Sequence, residues 1–451
     1  MKAHTSASFG KTERERRDAD MDSLWTQTAK LPEFPTLDGD RKTDVLIIGG
    51  GLAGLLCAYQ LKNAGVDCLL VEKNRICSGV TADTTAKLTV QHGLLYHKLI
   101  RRFGVKRAGL YLQANQNAFE KMKALCEGMD CDFRQEASYV YSRQDSQKLL
   151  DELDALRRLG CQAEFLKKPP LPVPTVGAVG VPNQGQFHPL KFAAAVAEGL
   201  PIYAHTKVQE LAPGKAVTDR GTIRAGKIIV ATHFPMLNKH GSYFLKQYQH
   251  RSYVLALKGA DLPEGMYVDE AKDGLSFRTY GDLLLLGGGS HRTGKKGGGW
   301  QELEAFVKAH YPQAEITARW ATQDCMTLDE VPYIGQYSSR TPELFVATGF
   351  QKWGMTTAMA AAMILTDLVQ GKKNPYAPVF DPSRSILRPQ MVINGVETLW
   401  NLLTPTTPRC PHMGCALKYN RAEHSWDCPC HGSRFSEAGE LLNNPSKKDM
   451  H

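Results

Sequence analysis

Hydrophobic positions first settle into a regular pattern at Thr43, after a polar, charge-rich opening with Pro32 and Pro35 near its end. Residues 44–48 form a short β-branched run, residues 52–64 repeat apolar side chains at helical spacing, and residues 68–71 form a second apolar run closed by Glu72. The succession predicts strand, helix, strand. Farther on, residues 105–126 and 147–159 read as amphipathic helices, and residues 228–231, 253–257, 283–286 and 344–347 as strands. Residues 356–369 are small and apolar with Asp367 among them, too short a stretch to span a bilayer, so a buried helix is expected there. The mixture implies α/β plus α+β architecture, with a doubly wound, Rossmann-like domain beside a sheet-rich second domain.

Lys372, Lys373, Pro375, Pro378 and Pro382 mark residues 373–389 as a linker, which leaves residues 390–451 as a small separate unit. Residues 1–40 are expected to be a loosely attached arm.

Composition narrows the class. The chain has 451 residues, 42% apolar and 22% charged, an ordinary globular balance that can bury a large core. An excess of 55 basic over 46 acidic residues gives a net charge of +9. Apart from residues 11–17 those charges are dispersed and do not interleave with aromatic side chains, which argues against nucleic-acid binding. The first stretch holds no apolar core of signal-peptide length, and Arg16 and Arg17 are followed by Asp18, Asp20 and Asp22. The expectation is a cytoplasmic protein without a membrane span.

Two motifs carry chemistry. The run Gly49-Gly50-Gly51-Leu52-Ala53-Gly54 satisfies G-x-G-x-x-G directly after a predicted strand and at the opening of a helix. Gly49 permits the tight turn, Gly51 lets backbone approach a pyrophosphate, Gly54 allows close helix–strand packing, and the helix N-terminus offers N–H donors to the anion. Glu72 closes the second strand, where a carboxylate can bind ribose hydroxyls. Leu286-Gly287-Gly288-Gly289-Ser290-His291-Arg292 starts in a similar way, but Arg292 stands where the last glycine is required, so NAD(P)H is not the expected electron donor.

The second motif pair is Cys410-Pro411-His412-Met413-Gly414-Cys415 and Cys428-Pro429-Cys430-His431-Gly432-Ser433. Seven other cysteines are scattered, whereas these four are clustered, a pattern that points to metal before a disulfide framework. A structural zinc knuckle competes with an iron–sulfur site, but zinc would leave two cysteines and the Gly432-Ser433 turn unused.

Ala347-Thr348-Gly349-Phe350, Trp353-Gly354 and the small-residue helix after them resemble the late FAD motif of the D-amino-acid oxidase and glycine oxidase superfamily. Residues 78–86, Phe187-His188-Pro189, residues 230–232 and residues 320–335 share that resemblance, which covers roughly residues 40–372. It implies a discontinuous FAD-binding domain (about 41–135, 186–240 and 325–372) and a substrate domain (about 136–185 and 241–324) within residues 41–372. By position it assigns Gly49, Gly51, Gly54 and Glu72 to the ADP half, Thr84, Thr85, Thr232, Gly349, Trp353 and Gly354 to the flavin neighbourhood, and Val208 to the adenine side. The helix opening near Gly354 would aim its positive terminus at the flavin, favouring the anionic reduced ring.

The C-terminal pair resembles the two loops of Rieske [2Fe-2S] proteins, so residues 390–451 are expected to be a small all-β cluster unit with Cys410, His412, Cys428 and His431 as ligands. The same resemblance implies a Cys415–Cys430 disulfide. Phe435 occupies the position usually held by tyrosine in the highest-potential members and cannot donate a hydrogen bond, so the expected potential lies below the top of the Rieske range, about +300 mV.

By resemblance the substrate is an amine or amino acid oxidised at CH–NH or CH–NH2. Arg251, Tyr253, Arg278, Tyr280 and His291 are candidate pocket residues, each with a plainer alternative as surface, core or loop side chain. Flavin takes two electrons and the cluster one, which favours a dehydrogenase that serves an external one-electron carrier. Two other readings stay open: electron flow from a reduced carrier towards an unsaturated or imine substrate, and a redox sensor or electron shuttle without turnover.

Overall fold

The computed structural model describes residues 22–237, 240–385, 389–406 and 408–450. The opening unit forms as the periodicity predicts: strand Arg41–Ile48, helix Leu52–Asn63 and strand Cys68–Val71. Residues 45–48 and 68–71 are all apolar because both faces of the sheet are covered, one by helices Leu52–Asn63 and Gly354–Val369 and the other by an apolar cluster that includes the hairpin strands Val208–Ala212 and Lys215–Thr218. In the eight-stranded sheet, Thr222–Val230 and Cys68–Val71 flank Arg41–Ile48 in parallel, with Leu344–Thr348 and Ile202–Tyr203 farther out. Helix Gly354–Val369 is buried over most of its length; Ala358, Ala360, Ala361 and Ala362 let it lie close to Leu52–Asn63.

The second domain is a nine-stranded sheet whose long strands include Gln247–Lys258, Leu283–Arg292 and Glu315–Thr327. These contain the predicted residues 253–257 and 283–286 but run several residues beyond them, because the extensions pair with one another whatever their polarity. The predicted helix over 105–126 is the second part of Tyr96–Glu127, which kinks at Gly104, where φ is +80°.

Three expectations about peripheral segments change. Residues 1–21 of the arm lie outside the described residues, but its remainder is not loose: helix Leu24–Thr28 buries Leu24 and Trp25, and the Trp25 indole Nε1 donates to the Thr84 carbonyl at 2.6 Å. The linker is tied down by Arg384, whose Nε donates to Asp329 Oδ2 at 2.7 Å. The C-terminal unit has the expected small all-β sheet, of four antiparallel strands, but residues 390–403, expected as part of it, belong to helix Pro389–Leu403 instead. That helix was hidden by the Pro and Lys content just before it. No helix among the described residues is long and apolar enough to cross a membrane.

Candidate flavin and cluster sites

The glycine run turns as its spacing requires. Gly49 holds φ at +110°, and a Cβ on Gly54 would fall 1.9 Å from the Gly49 carbonyl oxygen, so helix and strand can approach only without a side chain there. The Gly50 amide donates to Glu72 Oε2 at 2.7 Å, and the Asn74 amide to Oε1 at 2.9 Å, which fixes the carboxylate at the mouth of the turn. From this turn a cavity of about 840 Å³ runs between the two domains. Gly49, Gly51, Glu72, Val208, Thr84, Thr85, Thr232, Gly349, Trp353 and Gly354 all line it, and Gly54 packs against the Gly49 turn. Burial drops the cavity-lining Lys87 ammonium to about 7 and raises the Asp83 carboxyl to about 7.

The far end of the cavity is floored by the long strands of the second sheet. Alternation places Tyr248, His250 and Ser252 of one strand, and Thr322, Asp324 and Met326 of its neighbour, towards the cavity. The intervening Gln249, Arg251 and Gln323 face the C-terminal unit instead.

Of the pocket residues expected from sequence, Tyr253 lines the cavity, whereas Arg251, Arg278 and His291 do not. The Arg251 guanidinium is paired through Nε with Glu423 Oε1 at 2.9 Å, and its second nitrogen also meets that carboxylate. Tyr253 Oη donates to the same oxygen at 3.1 Å and meets His291 Nε2 at 3.0 Å. Arg278 is buried, with Nε on Gln186 Oε1 at 2.9 Å and its two other nitrogens on the carbonyls of Thr85 and Phe187. Tyr280 Oη donates to Asp132 Oδ2 at 2.6 Å. The two arginines expected to meet a substrate carboxylate are therefore committed within the protein: Arg278 braces the Thr84–Thr85 turn, and Arg251 holds the C-terminal unit.

That second contact is a buried charge lattice. Glu423 also accepts from Arg434 at 2.7 Å, and Arg434 Nε donates to Asp427 Oδ1 at 2.9 Å. Burial alone would raise the Glu423 carboxyl, but Arg251 and Arg434 outweigh it and hold it at about 2. Glu423, from an otherwise ordinary turn sequence, carried no signal in the chain; only its partners give it meaning.

The two cysteine loops are built alike. The Cys410 amide donates to the Cys415 carbonyl at 2.9 Å and the Cys428 amide to the Ser433 carbonyl at 2.8 Å, with Gly414 and Gly432 at φ +77° and +82°. All four thiols are buried, and the His412 and His431 rings stand perpendicular at 5.0 Å between centroids. The Cys410 thiol interacts with Cys428 and with the buried Ser433 hydroxyl. His431 Nδ1 is buried with no hydrogen-bond partner among the described residues, a costly arrangement unless the nitrogen is a ligand, so the donor set fits the iron–sulfur group. Cys415 and Cys430 stand as free thiols, not as the expected disulfide; with Cys428 they keep their sulfurs within 4.8 Å of one another.

Sequence comparisons agree with this geometry. Residues 44–368 match the description of the DAO family, FAD dependent oxidoreductase, and residues 401–451 that of the Rieske [2Fe-2S] domain. The chain belongs to the DAO family of FAD-dependent oxidoreductases and carries a Rieske domain at its C-terminal side. Its cofactors are FAD and a Rieske [2Fe-2S] cluster. It is 35% identical, over 95% of its length and 97% of the relative's, to a putative Rieske 2Fe-2S iron-sulfur protein YhfW of Bacillus subtilis (strain 168). It is 22% identical to the gamma-glutamylputrescine oxidoreductase of Escherichia coli (strain K12), over 76% of this chain and 87% of that one. Among solved structures, glycine oxidase from Geobacillus kaustophilus superimposes with a TM-score of 0.64 at 22% identity, over 77% of this chain and 100% of that one, a likeness of fold.

The Rieske domain sits directly on the flavoprotein body. Gln323 Nε2 donates to the Gly432 carbonyl at 2.9 Å, and Arg292 reaches the Pro429 and Cys430 carbonyls at 3.3 and 3.4 Å. Asn444 Nδ2 donates to the carbonyls of Thr232 and Phe234 at 3.3 and 2.9 Å, and Phe244 meets the His431 ring edge-on at 5.8 Å. Helix Pro389–Leu403 joins this contact through Arg292 to Asn394 at 2.8 Å and Lys295 to Glu397 at 2.6 Å.

Proposed function

We propose that the protein is a dehydrogenase that oxidises the CH–NH or CH–NH2 group of an amine or amino acid and passes the electrons, one at a time, through its own Rieske domain to an external carrier. When bound, FAD supplies the two-electron acceptor for C–H oxidation and the cluster a one-electron outlet. The observation that carries the reading is the two-faced sheet: residues 250, 252, 322 and 324 floor the cavity, while residues 249, 251 and 323 of the same strands hold the Rieske domain.

In this reading Gly49, Gly51, Gly54 and Glu72 hold the ADP half of FAD, with Val208 at the adenine. Thr84, Thr85, Thr232, Gly349, Trp353 and Gly354 surround the ring. Cys410, His412, Cys428 and His431 are the cluster ligands, and Cys415 and Cys430 are close enough to be joined on oxidation. Trp25 and Arg278 keep the Thr84–Thr85 turn in place. Amine and amino-acid substrates appear in the names of related proteins, including the Escherichia coli gamma-glutamylputrescine oxidoreductase and the D-amino acid dehydrogenase of Rhizobium rhizogenes.

Anaerobic mixing of the holoprotein with a panel of amines and amino acids tests the proposal. The expected result is loss of the flavin absorption followed by the paramagnetic signal of a reduced Rieske cluster. Flavin bleached only by reduced carriers, and never by any amine, would count against it.

A further inference from the structure

The flavoprotein body does not wall the cavity alone: residues 441–444 and 446–449 of the Rieske domain line it as well. Strand Leu441–Asn443 ends the four-stranded sheet, and the segment after it reaches across to the body. Asn444 Nδ2 donates to the carbonyls of Thr232 and Phe234 at 3.3 and 2.9 Å. Thr232 in turn packs on the nucleotide turn, where a Cβ on Gly49 would come within 2.6 Å of the Ala231 carbonyl oxygen and 3.3 Å of Thr232 Cα. The glycine turn, residues 231–234 and Asn444 are thus in contact in that order. Farther along, Lys447 lies within electrostatic reach of Lys207 and Glu210, which flank Val208.

The same segment is fastened to the cluster. The Ser446 amide donates to the buried Ser433 hydroxyl at 2.9 Å, and Ser433 closes the second cysteine loop, its carbonyl accepting from the Cys428 amide at 2.8 Å. Ser446 Oγ donates to the Lys448 carbonyl at 2.9 Å, the Leu441 amide to Asp449 Oδ1 at 2.8 Å and the Met450 amide to the Gly439 carbonyl at 2.8 Å. The segment therefore takes its shape from the Rieske sheet and the cluster loop. Residues gathered around a metal group draw their folding energy from binding it, so an empty cluster loop holds Ser433, and with it Ser446, less firmly. Asn444, two residues from Ser446, carries that difference to the nucleotide turn.

We propose that residues 444–448 of the Rieske domain close the ADP half of the FAD site, with Lys447 and Lys448 supplying positive charge towards its pyrophosphate, so that FAD is held tightly only when the cluster is in place. The coupling is reciprocal, since a bound FAD must stabilise the cluster by the same factor. A chain that has lost its outlet for electrons then also gives up its flavin. This is independent of which substrate the protein oxidises.

Full-length protein stripped of flavin, with its cluster intact or removed by Cys428→Ser, is titrated with FAD, and flavin fluorescence gives the dissociation constant while iron and labile sulfide are assayed on the same samples. The cluster-free chain should bind FAD about 10- to 100-fold more weakly. Ser433→Ala and Asn444→Ala leave the four ligands in place and isolate the segment: each should keep iron at the parent level and weaken FAD about 3- to 10-fold, the loss of a hydrogen bond or two. Replacing Lys447 and Lys448 together by Met should weaken FAD most at low salt and flatten the salt dependence of its binding. Tyr419→Phe, in the Rieske sheet but not in the cavity wall, should change none of these. Where Cys428→Ser proves unfolded by circular dichroism, the iron-replete variants decide alone. FAD affinity that is the same with and without the cluster in folded protein, or the same in Asn444→Ala as in the parent, would overturn the proposal.

Discussion

Glu423 shows how much one side chain can decide. Its carboxylate joins Arg251 of the flavoprotein body to Arg434 of the Rieske domain in a buried lattice, so Glu423→Gln leaves the buried Arg251 guanidinium without its counter-charge and Arg434 with Asp427 alone. Removing one partner from such a lattice costs about 3–5 kcal/mol. The expected outcome is a Rieske domain that is cut readily by a protease and slowed reduction of the cluster, both measurable against the parent. Because the folded carboxyl lies at about 2, below its ordinary 4.5, its stabilising contribution is complete above about pH 4.5 and is lost as the pH falls towards 2. A docking assay across that window should follow this titration, and Glu423→Gln should flatten it.

At the nucleotide turn, Gly54→Ala places a methyl group 1.9 Å from the Gly49 carbonyl oxygen and should yield protein largely free of flavin, read from its absorption spectrum. These glycines were legible in the sequence because spacing alone fixes what they do. Arg251 and His291 were legible only as polar residues on strands: which face of a strand meets the cavity depends on what covers the other face, and the Rieske domain that covers it comes from a distant part of the chain.

Among the elements, those with strong periodicity were recovered nearly to their ends, as Cys68–Val71 and Ser146–Arg158 illustrate. Several helices escaped, Pro189–Ala197 and Gly299–His310 among them, and two show why. Leu24–Thr28 is too short to show a period, and its stability comes from Trp25, packed between Arg278, His188 and Tyr280. Pro389–Leu403 follows a proline-rich stretch that reads as loop. Its role makes a prediction at this scale: the helix and the cluster loops draw on Arg292, Lys295, Gln323 and Arg251 of the body. A fragment of residues 385–451 should therefore fail to retain iron and labile sulfide, whereas the intact chain retains both.

At the scale of the whole molecule, strands Gln247–Lys258 and Glu315–Thr327 carry cavity residues on one face and Rieske-domain contacts on the other, which is the layout the proposed electron outlet requires. An external one-electron acceptor should outcompete oxygen during turnover. Peroxide assay beside acceptor reduction checks this, and rapid stoichiometric peroxide with a cluster that stays oxidised would argue for an oxidase. The two-domain flavoprotein and the appended cluster were legible from two compact motifs, because each demands a specific local geometry. The cavity floor was not, since which residues of Gln247–Lys258 and Glu315–Thr327 face it depends on a pairing between strands far apart in the chain.

Gly432, at the tip of the second cluster loop, lies so near the Gln249 side chain that a Cβ would come within 2.2 Å of it. A swing of that loop would have to break this packing together with the Gln323 and Arg292 hydrogen bonds. The internal electron step should proceed across a fixed gap, at a rate indifferent to glycerol or sucrose in the solvent, and any search by diffusion falls to the partner that collects the charge.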